Sequence, residues 1–390
     1  MSTVTAITCA RLFDGANWHD NTALLIDGDR IAGLAAPGDL PEGCRIERAD
    51  GQWLVPGFVD LQVNGGGGLL LNDAPTAETI ATICAAHRPF GTTALMPTLI
   101  TDTAETTQAA IDAAEEAARA NIPGFLGLHL EGPHLAPARK GAHDAALIRP
   151  MEDTDLDRLT AAARALPVLI VTLAPENASP AQVTALAEAG AVVSLGHSNT
   201  DCATARAYAA AGARLVTHLF NAMSPLAHRE PGLVGAALDT GTLSAGLIAD
   251  GFHVAPAAMA IALRAKAGPG RIFLVTDAMA PLGTDMTQFT LNGRTIYRSG
   301  GRLTLDDGTL AGADIDMISS IRLLHREVGI PLDEALRMAS LYPAEAVGVG
   351  ARKGRLAAGY DADVVALSPE LAVRTVWTGG ERQDIANADT

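Results

Sequence analysis

Short apolar runs alternate with alanine-rich stretches of helical period through about three hundred residues of this chain, and few architectures accommodate that alternation. Eight runs stand out, at residues 54–63, 93–99, 125–131, 168–173, 192–195, 215–219, 245–249 and 272–276. Between most of them lie helix candidates at 104–120, 153–165, 180–189, 201–211 and 256–266, several opening on Asp or Pro as helix starts do. Eight such βα units predict an α/β fold, a (β/α)8 TIM-like barrel with insertions. An open doubly wound sheet is the competing architecture, and counting runs does not separate the two. Gly65-Gly66-Gly67-Gly68 lacks the G-x-G-x-x-G spacing that opens a helix on a dinucleotide, so it is read as a flexible loop at the barrel mouth.

The two ends of the chain differ from this middle and resemble each other. Strand-like runs at 5–9, 23–26 and 30–34, with Asp27-Gly28-Asp29 as a turn, face runs at 364–367 and 373–377. Residues 1–55 and 350–390 are therefore expected to pair into one small β-sandwich module, leaving 56–349 as the barrel. Asn292-Gly293 and Asp307-Gly308 predict two hairpin turns in an insertion after the eighth run.

Composition narrows the function classes. Hydrophobic residues make up 48% and charged residues 18%, with mean hydropathy +0.20, far from the composition of disordered chains. A net charge of −16 disfavours nucleic acid and anionic lipid as partners, so an anionic ligand needs a local cationic site. Cys9, Cys44, Cys84 and Cys202 are scattered and form no CxxC, which fits a reducing compartment. The first residues show no basic segment leading into an apolar one, and no run of about 18 apolar residues occurs; a cytoplasmic location with no membrane partner is the expectation.

In such a barrel, chemistry sits at the carboxyl ends of the strands. The third run ends at Glu131, His197 lies just beyond the fifth, His218 at the end of the sixth and Asp277 directly after the eighth. One carboxylate and two imidazoles from different strands suit Zn²⁺ with a fourth position open for water. Water acidified by zinc to a pKa of roughly 7 still needs a proton acceptor and donor, and Asp277 is placed for both tasks.

The ordered series Pro56-Gly57-Phe58-Val59-Asp60, His129-Leu130-Glu131-Gly132-Pro133, Lys140-Gly141-Ala142-His143, Gly196-His197-Ser198, Thr217-His218-Leu219-Phe220-Asn221-Ala222-Met223, Arg229-Glu230-Pro231-Gly232 and Thr276-Asp277-Ala278 resembles the N-acetylglucosamine-6-phosphate deacetylases of the amidohydrolase superfamily over almost the whole chain. The resemblance implies zinc-dependent hydrolysis of N-acetyl-D-glucosamine 6-phosphate to D-glucosamine 6-phosphate and acetate by a homodimer. By position it implies Glu131, His197 and His218 as metal ligands, Asp277 as general base and acid, and His143 as the hydrogen-bond donor to the acetyl carbonyl. Arg229 and His253 match phosphate contacts, supported by Asn221 and the backbone N–H of Ala222; Arg229 serves either its own or the neighbouring subunit's site. The backbone around Ala311 matches an acyl-pocket wall.

Many superfamily members carry H-x-H after the first strand and a bridging lysine at the fourth, which together hold a second metal. Here the first-strand positions read Gln62-Val63-Asn64, weak zinc ligands that are kept as candidate lining residues. The only lysines are Lys140, Lys266 and Lys353, none of them at the fourth strand end, so one divalent metal per subunit is expected. The same departures argue against a dihydroorotase-like cyclic-amide hydrolase. The presence of Glu131, His197, His218 and Asp277 together argues against an inactive scaffold barrel. The galacto epimer, N-acetylgalactosamine 6-phosphate, stays open as the alternative substrate. His129 is read as a hydrogen-bonded residue of a barrel layer, His134 as a residue that could line the mouth, and Cys202 as packed.

Overall fold

The computed structural model describes residues 4–385, so residues 1–3 and 386–390 of the expected terminal module lie outside the described residues. Eight parallel strands form the barrel: β1 (Phe58–Val63), β2 (Thr92–Ile100), β3 (Leu128–Glu131), β4 (Leu169–Leu173), β5 (Val192–Leu195), β6 (Leu215–Val216), β7 (Ser244–Leu247) and β8 (Ile272–Leu274), each hydrogen-bonded to its neighbour in chain order. Almost every residue on them is buried, as expected of strands packed against side chains within and helices without. The expected helices are present, and all but Pro256–Ala265, which opens on Pro256 after Ala255, are capped by a side chain from their own sequence. Thr103 accepts from the Thr106 N–H ahead of Ala104–Arg119, Asp201 accepts from Thr204 ahead of Cys202–Ala211, and Ser179 with Gln182 forms a capping box around Pro180–Glu188. Each cap contributes about 1 kcal/mol.

β1 and β8 meet only toward their carboxyl ends. There Asp277 N–H donates to Gln62 O and Asn64 N–H to Ala278 O, both at 2.9 Å. Below this seam Asp60, fully buried, receives the Thr276 hydroxyl at 2.5 Å and backbone N–H groups of Gln62 and Thr276. Burial pushes the Asp60 carboxyl up to about 7 against these donors. The result is a nearly closed barrel whose last stitch lies beside the residues of interest.

The run expected at 54–63 is two strands. Arg45–Pro56 belongs to the terminal sheet and β1 begins at Phe58. The break is at Gly57, where a Cβ would stand 2.1 Å from the Thr93 hydroxyl and where the N–H donates to Asp363 O. The terminal module is a single eight-stranded sheet joining both ends of the chain, with Arg45–Pro56 parallel to Thr5–Phe13 and antiparallel to Val364–Leu367. After β8, an insertion forms a four-stranded antiparallel sheet: β9 (Gln288–Leu291), β10 (Arg294–Ser299), β11 (Arg302–Thr304) and β12 (Leu310–Ala313). Asn292 and Gly293 turn β9 into β10 with φ of 50° and 71°, as the Asn-Gly pair predicts.

The four-glycine segment differs from expectation. Gly65–Gly66 pairs with Leu69–Leu70 in a small hairpin, and Gly65 N–H donates to Ala278 O at 3.0 Å. A Cβ on Gly65 would lie 2.3 Å from Leu69 O, so glycine here permits close backbone approach rather than a flexible loop.

Candidate active site

At the carboxyl end of the barrel lies a cavity of about 270 Å³ that Glu131, His143, His197, His218, His253 and Asp277 all line. Glu131 is the last residue of β3 and points inward beside buried His129, two residues earlier. His197, His218 and Asp277 each follow a strand by two or three residues with φ of 48°, 29° and 53°. Such left-handed conformations cost non-glycine residues about 1–3 kcal/mol and turn the chain sharply. Here they aim three side chains into the mouth directly after β5, β6 and β8. That is also why β6 and β8 stop short of the runs expected at 215–219 and 272–276.

Glu131 Oε1 lies 3.2 Å from His197 Nε2 and 3.0 Å from His218 Nε2, and the two imidazole nitrogens are 3.0 Å apart. Four ligands at tetrahedral zinc stand about 3.3 Å from one another, so this spacing fits such an ion. His143 Nε2 is 3.7 Å from Glu131 Oε2, and Glu131, His143 and His197 together also offer ligand atoms within 4.8 Å.

Tautomers separate the histidines. His197 Nδ1 faces the Arg139 carbonyl at 2.8 Å. A carbonyl only accepts, so Nδ1 carries a proton, and Nε2, facing Glu131, is the nitrogen left to bind a metal. His143 is the reverse case. The Thr101 backbone N–H, which only donates, points at His143 Nδ1 at 3.2 Å, with the Thr101 hydroxyl at 2.8 Å. Nδ1 therefore accepts, and neutral His143 presents N–H at Nε2. Burial pushes its pKa down to about 3, keeping the ring neutral. One ring offers the cluster a ligand atom and the other offers a donor.

The carboxylates are differentiated as well. Burial opposes charge on Glu131, but His197 and His218 outweigh it and hold that carboxyl well below the usual range. Asp277 is raised to about 6, by burial first and by nearby Glu131 second. Between them sits Gln62, whose Nε2 is 3.2 Å from Glu131 Oε1 and 3.2 Å from Asp277 Oδ1. Asn64 Nδ2 is 2.6 Å from the same Asp277 oxygen.

Of the remaining sequence candidates, Asn221, Ala222 and His253 line the cavity. Asp250 Oδ2 fixes His253 Nδ1 at 2.6 Å, leaving Nε2 for the cavity. The side chain of Ala311 packs instead in an apolar cluster with Phe289 and Ile296, while its neighbours Leu310 and Gly312 line the wall. Arg229 is exposed on the segment between β6 and the helix Gly232–Asp239 and is not among the lining residues. His129 bonds Leu61 O and the Thr172 hydroxyl, as a barrel-layer residue should. His134 is buried against Arg149 O. Cys202 is packed at its helix start. Thr101 and the Arg139 carbonyl do not stand out in the sequence, although Thr101 follows the end of β2, where the strand-end rule could have found it; Asp250 directly follows the seventh run, so that rule does reach it.

A model of the amidohydrolase family matches residues 53–382. The chain belongs to the amidohydrolase family. This amidohydrolase is 42% identical over 382 residues, covering 92% of its length and 95% of the relative's, to an N-acetylgalactosamine-6-phosphate deacetylase of Shewanella sp. (strain ANA-3). It is 35% identical to an N-acetylglucosamine-6-phosphate deacetylase of Haemophilus influenzae, over 90% of this chain and 92% of that one. The crystal structure of N-acetylglucosamine-6-phosphate deacetylase from Pasteurella multocida superposes with a TM-score of 0.94 at 35% identity, covering 98% of this chain and 100% of that one. The amidohydrolase is thus a hydrolase of amide bonds on a barrel fold, in a family whose chemistry is metal-dependent, and the resemblance read from the motifs holds.

Proposed function

We propose that this amidohydrolase removes the acetyl group from N-acetyl-D-glucosamine 6-phosphate with a single zinc ion per subunit, giving D-glucosamine 6-phosphate and acetate. The observation that carries the reading is the convergence of Glu131 Oε1, His197 Nε2 and His218 Nε2 within 3.2 Å in a cavity that Asp277 shares. These three residues would hold the ion. When bound, zinc supplies Lewis acidity, acidifying water and drawing electron density from the amide carbonyl. Asp277 takes the proton as water adds to the carbonyl carbon and delivers it to the leaving nitrogen. His143 Nε2–H donates to the acetyl oxygen as negative charge develops there. The 42% identity to an N-acetylgalactosamine-6-phosphate deacetylase favours a second reading, in which the galacto epimer is the better substrate. Comparing kcat/KM for the two sugar phosphates, with released amine as readout, decides between them; no turnover of either overturns the reading.

For the phosphate, His253 Nε2, Asn221 and the Ala222 N–H would line the binding wall. Arg229 is exposed and outside the cavity of its own chain, which supports its reaching the substrate of a partner copy in a homodimer. Arg229→Ala is then expected to raise KM about 10–100-fold with kcat within about three-fold, because a charge-assisted contact to a non-reacting group is lost. An unchanged KM contradicts the clamp. We propose the division into a barrel at 56–349 and a module from 1–55 and 350–390 as this enzyme's domain plan. A cytoplasmic location is supported by four cysteines that are all unpaired.

The pH profile has a definite sign. Asp277 works as a base when deprotonated, and its pKa is raised to about 6. Turnover should therefore fall with decreasing pH, one proton per site. A bound cation favours the carboxylate, so the acid limb of kcat in the zinc-loaded enzyme should lie at about 6 or lower. A limb above about 7 contradicts the assignment.

A further inference from the structure

β1 ends at Val63, and Gln62 and Asn64 on either side of it both turn their amides toward the seam with Asp277. Asn64 is buried, with Nδ2 at 2.6 Å from Asp277 Oδ1 and 3.4 Å from the carbonyl oxygen of the same residue. Chemistry fixes which end of the amide faces Asp277: a carboxylate oxygen 2.6 Å away accepts a hydrogen bond and cannot tolerate a second acceptor. Asn64 Oδ1 is consequently left buried with no partner among the described residues. A side chain that merely filled this space would carry no such orphan; Asn64 gives up one hydrogen bond and grips the aspartate with its amide.

The surroundings explain why a grip is needed. Asp277 sits in the left-handed region, and its backbone is fixed on both sides, N–H to Gln62 O at 2.9 Å and C=O from Ala313 N–H at 3.0 Å. The carboxylate could still rotate about its own bonds. Asn64 and Gln62 both donate to Oδ1, and among the described residues no group donates to Oδ2.

We propose that Asn64 is a positioning residue for the deacetylation, pinning Asp277 Oδ1 so that Oδ2 is the oxygen that collects and returns the proton. At Oδ2 an O–H bond forms as one O–H bond of water breaks, and it breaks again as the N–H bond of the leaving amine forms. This rests on the functional reading above and adds a residue to it.

The test uses the full-length zinc-loaded enzyme, N-acetyl-D-glucosamine 6-phosphate and its galacto epimer, and four variants: Asn64→Ala, Asn64→Asp, Asp277→Asn and the double variant Asn64→Ala/Asp277→Asn. Asn64→Ala should lower kcat about 30–100-fold, the order expected for a misplaced catalytic group, with KM within about three-fold and one metal per chain retained. The double variant should be no slower than Asp277→Asn alone, because the grip has nothing left to position. Asn64→Asp keeps the shape and sets a carboxylate against Oδ1, so it should lose at least as much kcat; it also serves if the alanine variant does not fold. Wild-type kcat in Asn64→Asp, a loss confined to KM, or a double variant slowed by the further full factor would each overturn the proposal. An active wild type beside unaffected Asn64 variants overturns this proposal alone, whereas a wild type inactive on both epimers overturns the functional reading with it.

Discussion

Asp277→Asn should lower kcat by about 10³-fold or more and leave the metal content at one per chain. The size follows from the two tasks assigned to one carboxylate, since proton removal and proton return each lose their carrier and a positioned acid or base is worth about 10²–10⁴-fold. Retention of the metal follows from geometry: the converging ligand atoms come from Glu131, His197 and His218, and the amide of an asparagine keeps the shape of the seam. Both the Asn64 and the Gln62 amide donate to Oδ1, an acceptor that asparagine retains, so the melting temperature should stay close to that of the wild type while kcat falls. Kinetics with parallel elemental analysis checks this. A variant that loses its metal, or one retaining a tenth of wild-type kcat, contradicts the assignment.

Exhaustive chelation, and equally His218→Ala, should reduce turnover by about 10⁴-fold or more, because several kcal/mol of transition-state stabilisation resides in the Lewis acid. Zinc should restore the chelated wild type and fail to restore the variant at stoichiometric concentration. His143→Ala is the informative contrast. Its Nδ1 is committed as an acceptor to the Thr101 N–H, so the ring presents a donor to the cluster and not a lone pair. That variant should keep one metal and lose about 10²–10³-fold in kcat, the cost of one donor to a developing oxyanion. If His143→Ala loses the metal while His218→Ala keeps it, the ligand set has been assigned to the wrong ring.

Much of the barrel was legible because its physics is periodic. Fully buried parallel strands read as apolar runs, as at Leu169–Leu173, and helices with their own N-terminal caps, such as Asp153–Ala165, declare where they begin. What escaped was written in backbone conformation or on half-exposed strands. The first half of the long strand Arg45–Pro56 carries charged Arg45, Glu47 and Arg48, and Glu381–Asp384 is exposed throughout, so neither stretch has an apolar signature. The strand-end rule singled out Glu131, His197, His218 and Asp277, and all four line the cavity, because a barrel projects its last strand residues into one mouth. It could not find the partners that set each role. The Arg139 carbonyl on His197, the Thr101 N–H on His143 and the Gln62 amide between two carboxylates depend on backbone placement and register, which residue identity does not encode locally. His143 itself was visible only through the family resemblance, since it lies in a loop well beyond the end of its nearest strand at Glu131.

A single cation held by Glu131, His197 and His218, facing Asp277, is what the proposed chemistry requires. The most direct measurement is an anomalous-difference map from crystals of the zinc-loaded enzyme, with data collected on either side of the zinc edge. One peak per subunit is expected, about 2.0–2.2 Å from Glu131 Oε1, His197 Nε2 and His218 Nε2, with His143 Nε2 beyond bonding distance. Two peaks in one site, or a single peak bonded to His143 in place of His218, would contradict it.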